Sequence, residues 1–227
     1  MKFCDFIRSA SAALALSLMS WGCSDDNGGM STERYMNFAT FEGNEGSTSR
    51  YTLQIINDSP LITLTYGATL DESQVKKGER VMLIYSLPDG MTVNDSGRLT
   101  RLSVGKVVNS SLEVGSFDGE SPRSDAEGVQ ALYRTGRYVN LQAQLPYYSE
   151  SCKIGLKVDE AEAEAPIPTA YLIYERQADT PTFDRTTYAS IDMGQFWMRE
   201  TLKGIKIVVE NSLDPSKLEF LFLKSDK

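Results

Sequence analysis

The sequence contains no histidine. That absence excludes Ser-His-Asp and Cys-His nucleophile systems, every His-ligated zinc site, and the commonest general base at neutral pH. Cysteine is scarce, with three in 227 residues, and there is no Cys-x-x-Cys pair, Gly-rich phosphate loop or Gly-x-Ser-x-Gly elbow. Positive charge is also short: 23 Lys and Arg face 31 Asp and Glu, giving a net charge of −8. A surplus of that sign disfavours nucleic acid and anionic lipid headgroups as partners. No cofactor and no metal site is expected.

What is present begins with an address. Lys2 and Arg8 precede an uncharged stretch, residues 9–22, rich in Ala and Leu. It is shorter than the ~20 residues a membrane-spanning helix needs, so it reads as a secretory signal over residues 1–22. Gly22 then precedes Cys23, Ser24, Asp25 and Asp26 and a polar, glycine-containing run. The pattern resembles a bacterial lipobox, with cleavage before Cys23 and acylation of that residue. Ser20 stands where such boxes usually carry Leu, and Trp21 is bulky for its place. Each buried acyl methylene contributes about 0.8 kcal/mol, so the membrane would be held through lipid on Cys23 alone, with residues 23–34 as tether. Ser24 resembles a signal for outward transfer from the inner membrane, and the Asp25–Asp26 pair resembles a surface-export tag. The expected location is the outer membrane, facing the periplasm or the outside. Cys4 would leave with the signal and Cys23 would carry lipid, leaving Cys152 without an internal disulfide partner. Its parity with Ile154, Leu156 and Val158 predicts that it points inward.

From Tyr35 onward apolar residues recur with period two, in short runs divided by Gly, Asn, Asp, Ser and Pro, which predicts an all-β chain. Strands are expected at residues 35–40, 50–56, 61–66, 80–87 and 99–109, with a single helical turn near 70–75. Five strands in that span suit a small barrel of the OB kind over residues 35–115. Residues 116–128 (SFDGESPRSDAEG) have almost no apolar content and read as a linker. In the second half, Val139, Leu141, Ala143 and Leu145 alternate with Tyr138, Asn140, Gln142 and Gln144, the pattern of a half-buried antiparallel strand. Further strands at 152–158, 171–175, 187–193, 205–210 and 218–223 predict an antiparallel β-sandwich over residues 129–227.

Few residues suggest chemistry. Asp159, Glu160, Glu162 and Glu164 lack the spacing of an EF-hand and read as a solvated charged loop. Ser73/Lys76 and Ser103/Lys106 have Ser-x-x-Lys spacing, but neither Ser-Asp-Asn nor Lys-Thr-Gly accompanies them. No catalytic residue is assigned; a hydrolase working through paired carboxylates would need acids that converge in space. The aromatics offer binding candidates. OB barrels use exposed aromatics to stack rings, which nominates Tyr51, Tyr66 and Tyr85 for a glycan; the alternative is that most of the barrel aromatics fill its core. Tyr147, Tyr148, Phe196 and Trp197 follow Pro146 or Gly194 and are expected on loops, with Trp197 a fourth binding candidate.

The order of features also resembles a family. The lipobox, then YMNFATF, GERVMLIYSL and RLTRLSVGKVV, followed by GRYVNLQAQLPYY, CKIGLKVDE, AYLIYERQADTPT, YASIDMG and GIKIVVENSLDPSKLEFLF, is similar to the NigD-like lipoproteins of Gram-negative anaerobes. The sequence departs at Tyr174-Glu-Arg-Gln-Ala-Asp, where relatives tend to carry Arg-His-Asn. The resemblance implies an N-terminal OB-like domain, a C-terminal β-sandwich and a place beside a bacteriocin system, and it brings no site residue with it. The resulting expectation is a non-enzymatic envelope lipoprotein whose partner is a protein or, alternatively, a glycan.

Overall fold

The computed structural model describes residues 33–117, 128–147, 153–175, 183–210 and 217–225. The N-terminal signal, Cys23, Cys152 and Tyr148 lie outside them. The described chain is all-β apart from one short helix, and it forms two bodies, each with its own apolar cluster.

The first body is built from β1 (Tyr35–Glu45), β2 (Thr48–Leu53), β3 (Ile62–Tyr66), β4 (Arg80–Ser86), β5 (Gly97–Arg98) and β6 (Arg101–Lys106), in the order β5-β3-β2-β1-β4-β6. Alternation explains its core: Ala39, Phe41, Tyr51, Leu53, Leu64, Leu83 and Tyr85 all face inward. The two sheet edges are consecutive in the chain. β5 pairs parallel with β3, and two residues later β6 pairs antiparallel with β4, so one kinked strand closes the sheet into the expected OB-like barrel. The single turn at 70–75 is present, with Gln74 and Val75 both donating to the Asp71 carbonyl, and Val75 plugs the barrel at 7% exposure.

The second body contains β7 (Val108–Val114), β8 (Gly128–Thr135), β9 (Tyr138–Tyr147), β10 (Lys153–Val158), β11 (Thr169–Glu175), β12 (Phe183–Asp192), α1 (Gly194–Met198), β13 (Gly204–Glu210) and β14 (Lys217–Leu223). The strands form one eight-stranded sheet, β14-β13-β11-β10-β7-β12-β9-β8. Both halves of that sheet feed one core, from Val139, Leu141 and Ile191 on one side to Leu156, Leu172 and Ile207 on the other. This is the predicted sandwich with two corrections. The sheet is mixed rather than antiparallel, because β7 pairs parallel with both β10 and β12, and β11 parallel with β13. Period-two alternation encodes faces but not direction. The passage between the bodies also comes earlier than residue 115: the expected strand 99–109 breaks at Val107, and everything from β7 onward belongs to the second sheet. The start of the expected linker is structured too, since Phe117 packs edge-on against Tyr171 at 5.4 Å under the Lys157 ammonium.

The outer face of β1 and β4 is the contact between the bodies. Phe38, 2% exposed, packs edge-on against Tyr133 and Tyr188, and Met82 is buried beside it. Two arginines then reach across in opposite directions. Arg80 leaves β4 and enters the second body, where Nε donates to Ser190 Oγ at 3.2 Å and Nη2 to Thr135 Oγ1 and Asn140 Oδ1 at 3.4 Å. Its guanidinium lies 4.4 Å from the Tyr138 ring, and Nη1 donates back to Thr40 Oγ1. Arg134 leaves β8 toward the barrel and forms a two-pronged pair with Asp58, both bonds at 2.7 Å. Between them Asn57, at φ +47, donates to the Arg134 carbonyl and accepts from Gly136 N. This reciprocal clasp makes the two bodies one unit.

Candidate functional site

The nominated aromatics come first. Tyr51 and Tyr85 are 1% and 2% exposed, inside the barrel, where burial pushes the Tyr85 hydroxyl up to about 12. Neither can stack on a sugar, which corrects the barrel-aromatic expectation for these two; the alternation that made them visible also points them inward. Tyr66 is half-buried and packs against the same core. Trp197 is not on a loop. It sits on α1, 5% exposed, with the Arg134 guanidinium 4.6 Å and the Lys224 ammonium 5.6 Å from its ring centre. It therefore serves the sandwich core and supports Arg134 by cation–π contact.

Neither Ser-x-x-Lys pair assembles a nucleophile. Ser103 and Lys106 lie on β6, where positions three apart face opposite sides, and Ser73 and Lys76 are exposed in the turn before β4. Among the described residues, no group of three or more His, Cys, Asp or Glu is placed to hold a metal. The run 159–164 is a loop of successive turns whose acids are partly spent on its own backbone. Asp159 accepts from Ala161 N at 2.9 Å and Glu162 from Thr169 N at 3.3 Å.

One concave surface among the described residues lies beside α1. Asp192 Oδ1 accepts from Gly194 N at 2.7 Å, and Gly194 adopts φ +46, a left-handed turn that L side chains resist, which starts α1 off the end of β12. Beside buried Trp197, Phe196 is half-buried against the edge of the core, and Met198 stands at 64% exposure. The acidic loop is drawn up opposite α1 because Pro166 O accepts from Lys203 N at 2.7 Å and Pro168 O from Lys206 N at 3.0 Å. Between α1, this loop and the end of β7 lies an open groove of about 530 Å³. Val114, Phe196 and Met198 give it an apolar floor, and Gln195, Glu164 and Arg199 give it polar edges. Arg199 is fixed: Nη1 donates to Ala163 O at 2.5 Å and pairs with Glu164 at 3.3 Å, and the guanidinium lies 4.8 Å from the Phe196 ring. Its Nη2 is buried without a hydrogen-bond partner among the described residues. Such a groove can seat an apolar side chain and offer hydrogen bonds and a carboxylate around it.

Sequence reasoning missed this site. Its lining joins residue 114 to 196 and 198, which alternation alone does not bring together, and the exposure of Met198 beside a buried Trp197 is visible only once α1 is known to be helical.

No family model and no curated protein matches the sequence. Solved structures do match. A protein from a Bacteroides vulgatus domain family of unknown function superposes with TM-score 0.62 at 17% identity, over 85% of this chain and 91% of that one. A candidate lipoprotein of Bacteroides fragilis gives 0.58 at 11% identity, over 86% of this chain and all of that one. A NigD-like immunity protein of Bacteroides caccae gives 0.56 at 16% identity, over 84% and 97%. These likenesses cover both bodies, so the resemblance read from the sequence holds at the level of the fold: this chain has the two-domain all-β architecture of a NigD-like protein.

Proposed function

We propose that the protein is an outer-membrane lipoprotein, acylated at Cys23, whose rigid two-domain body binds a protein partner and catalyses no reaction. The observation that carries the binding role is the α1 groove: an open, largely apolar surface on the helix whose Trp197 packs under Arg134 of the clasp. The lipobox and the fold shared with a candidate lipoprotein support the anchor. The fold shared with a NigD-like immunity protein supports a place beside an antibacterial protein. No helix among the described residues is long and apolar enough to cross a membrane.

Two experiments test the reading. Fractionation of cells should find the chain in outer-membrane vesicles and its Cys23→Ala variant in the soluble fraction; equal partition of both would sink the anchor. Crosslinking in intact envelopes should give a discrete adduct larger than the chain. A chain that stays uncrosslinked while its fold is intact would end the partner role.

A further inference from the structure

The two sheets have four ends, and among the described residues three are closed or blunted. β5 and β6 are consecutive and shut the barrel on itself. β8 is interrupted by a bulge between Val129 and Ala131, and its last residue, Thr135, is bridged to Asn57. β14 is the fourth end. It pairs with β13 from Gly204–Leu223 to Glu210–Lys217 without a bulge, holds no proline, and carries Leu218, Leu221 and Leu223 at 47%, 57% and 54% exposure.

Parity shows which backbone groups of β14 are open. Lys206 N donates to Pro168 O, so even positions of β13 face β11 and odd positions face β14. Lys224 N donates to Lys203 O, so even positions of β14 face β13, and Glu219, Leu221 and Leu223 turn N–H and C=O outward. The charges that ordinarily guard such an edge are engaged on the protein's own side. Lys217 pairs with Glu210, Glu219 with Lys206 at 3.8 Å, and Lys224 Nζ donates to Arg199 O at 2.6 Å. Phe220 and Phe222, half-buried, pack against the sandwich core from the inner face. The edge is therefore an open ladder flanked by leucines, and the ligand that matches it is another extended strand.

We propose that this strand is β14 of a second copy, joined antiparallel about a two-fold axis at Leu221. In that register the strand is its own complement. Leu221 meets its counterpart, Phe220 of each copy meets Phe222 of the other, Glu219 falls opposite Leu223, Leu218 opposite Lys224, and Lys217 opposite Ser225. No like charges are opposed and the apolar face runs on through the seam, whereas centring on Glu219 would oppose two carboxylates. Each copy brings Lys217, Lys224 and Glu219 to the seam, so the chain's net charge of −8 is not gathered there. One pair of strands buries less than a standard interface, so the dimer is weak and depends on concentration.

The test is sedimentation of the chain from Ser24 onward, which keeps every described residue, over a wide range of concentration. Its average mass should rise toward that of two copies. Leu221→Lys sets two lysines together at the axis and should weaken association at least about tenfold. Its melting temperature should not change, because the side chain is exposed and its amide faces outward. Met198→Lys, equally exposed but on α1, should leave association as it was. In a Cys152→Ser background with an added thiol oxidant, Leu221→Cys should give a disulfide-linked pair, because opposed residues of a hydrogen-bonded pair stand about 5.5 Å apart at Cα, and Glu219→Cys should not. A monomer at every concentration, a dimer that Leu221→Lys leaves intact, or equal crosslinking through 219 and 221 would overturn the proposal. Its failure is separable from that of the binding role: a chain that is monomeric throughout and still gives an adduct in envelopes refutes the self-pairing alone.

Discussion

Replacing Arg80 with alanine should cost about 3 kcal/mol and break the unity of the two bodies. Arg80 is 4% exposed and has no carboxylate partner among the described residues; its four side-chain bonds, at 3.2–3.4 Å, run to hydroxyls and one amide. Burial pushes its guanidinium down to about 10, the mark of a cation that has lost water without gaining an anion. Removing it opens a void of several methylenes, costing about 2 kcal/mol, and strips a donor from acceptors that are themselves buried, costing about 1–3 kcal/mol more. Part of that is offset by relief of the desolvated charge, and Asn140 keeps its bonds to Thr135 at 2.8 Å and Ser190 at 2.9 Å. Arg80→Met, which fills the volume without charge, should therefore cost only about 1 kcal/mol. The assay is urea unfolding of the chain lacking residues 1–22, followed both by fluorescence of Trp197, then the sole tryptophan, and by far-ultraviolet circular dichroism. Wild type and Arg80→Met should give coincident transitions, and Arg80→Ala a midpoint lowered by the equivalent of about 3 kcal/mol with the two probes separated. Coincident transitions for Arg80→Ala, or equal losses for the alanine and methionine variants, would refute the reasoning.

Other expectations follow from the same geometry. Asp58→Asn should cost about 2–3 kcal/mol, because Arg134 is 1% exposed and is left without its anion, measured as a shift in urea midpoint. Arg134 holds the Asp58 carboxyl below the usual carboxylate range, so its contribution is complete above the ordinary aspartate pKa. It is lost as pH falls through the depressed value; wild type should therefore lose stability on acidification more steeply than Asp58→Asn. Gly204→Ala should cost about 2 kcal/mol and loosen β14, since a Cβ there would lie 2.6 Å from the Phe222 carbonyl; faster amide exchange in β14 checks it. At alkaline pH, Tyr85 and Tyr133 are both held neutral by burial, up to about 12. The unfolded chain ionises them near 10, so stability should fall between those values, with their phenolate absorbance appearing together with unfolding rather than before it.

The strands that read most clearly in the sequence are those with one apolar and one polar face, such as Tyr138–Tyr147, where Val139, Leu141, Ala143 and Leu145 all enter the core. The break at Val107 did not read, because LSVGKVVNSSLEV keeps its alternation through the point where the chain changes sheets. What decides it is distant in sequence. Asn109 accepts from Arg80 N at 2.7 Å and donates to Arg80 O at 3.0 Å, holding on to the barrel while its own backbone pairs with β12. β8 was hidden for a related reason. Residues 128–135 combine Gln130 and Arg134 with modest apolar content, and Arg134 is buried only because Asp58, 76 positions away, meets it. The aromatics were legible as important and not as inward or outward, since Tyr51 and Trp197 look alike in sequence whether they stack on a ligand or fill a core. The groove was illegible because it is made of three separate chain segments.

The position of β1 in the barrel bears on how the protein withstands pulling. A chain held at its N-terminus transmits load to Tyr35, the first residue of β1, and β1 is an interior strand, paired with β2 on one side and β4 on the other. Force along that strand meets the β4 ladder over Tyr35–Thr40 first and the β2 ladder over Thr40–Glu45 behind it, so two pairings stand in series along one strand. A domain pulled from its N-terminus would therefore yield one ladder after the other rather than open at a sheet edge.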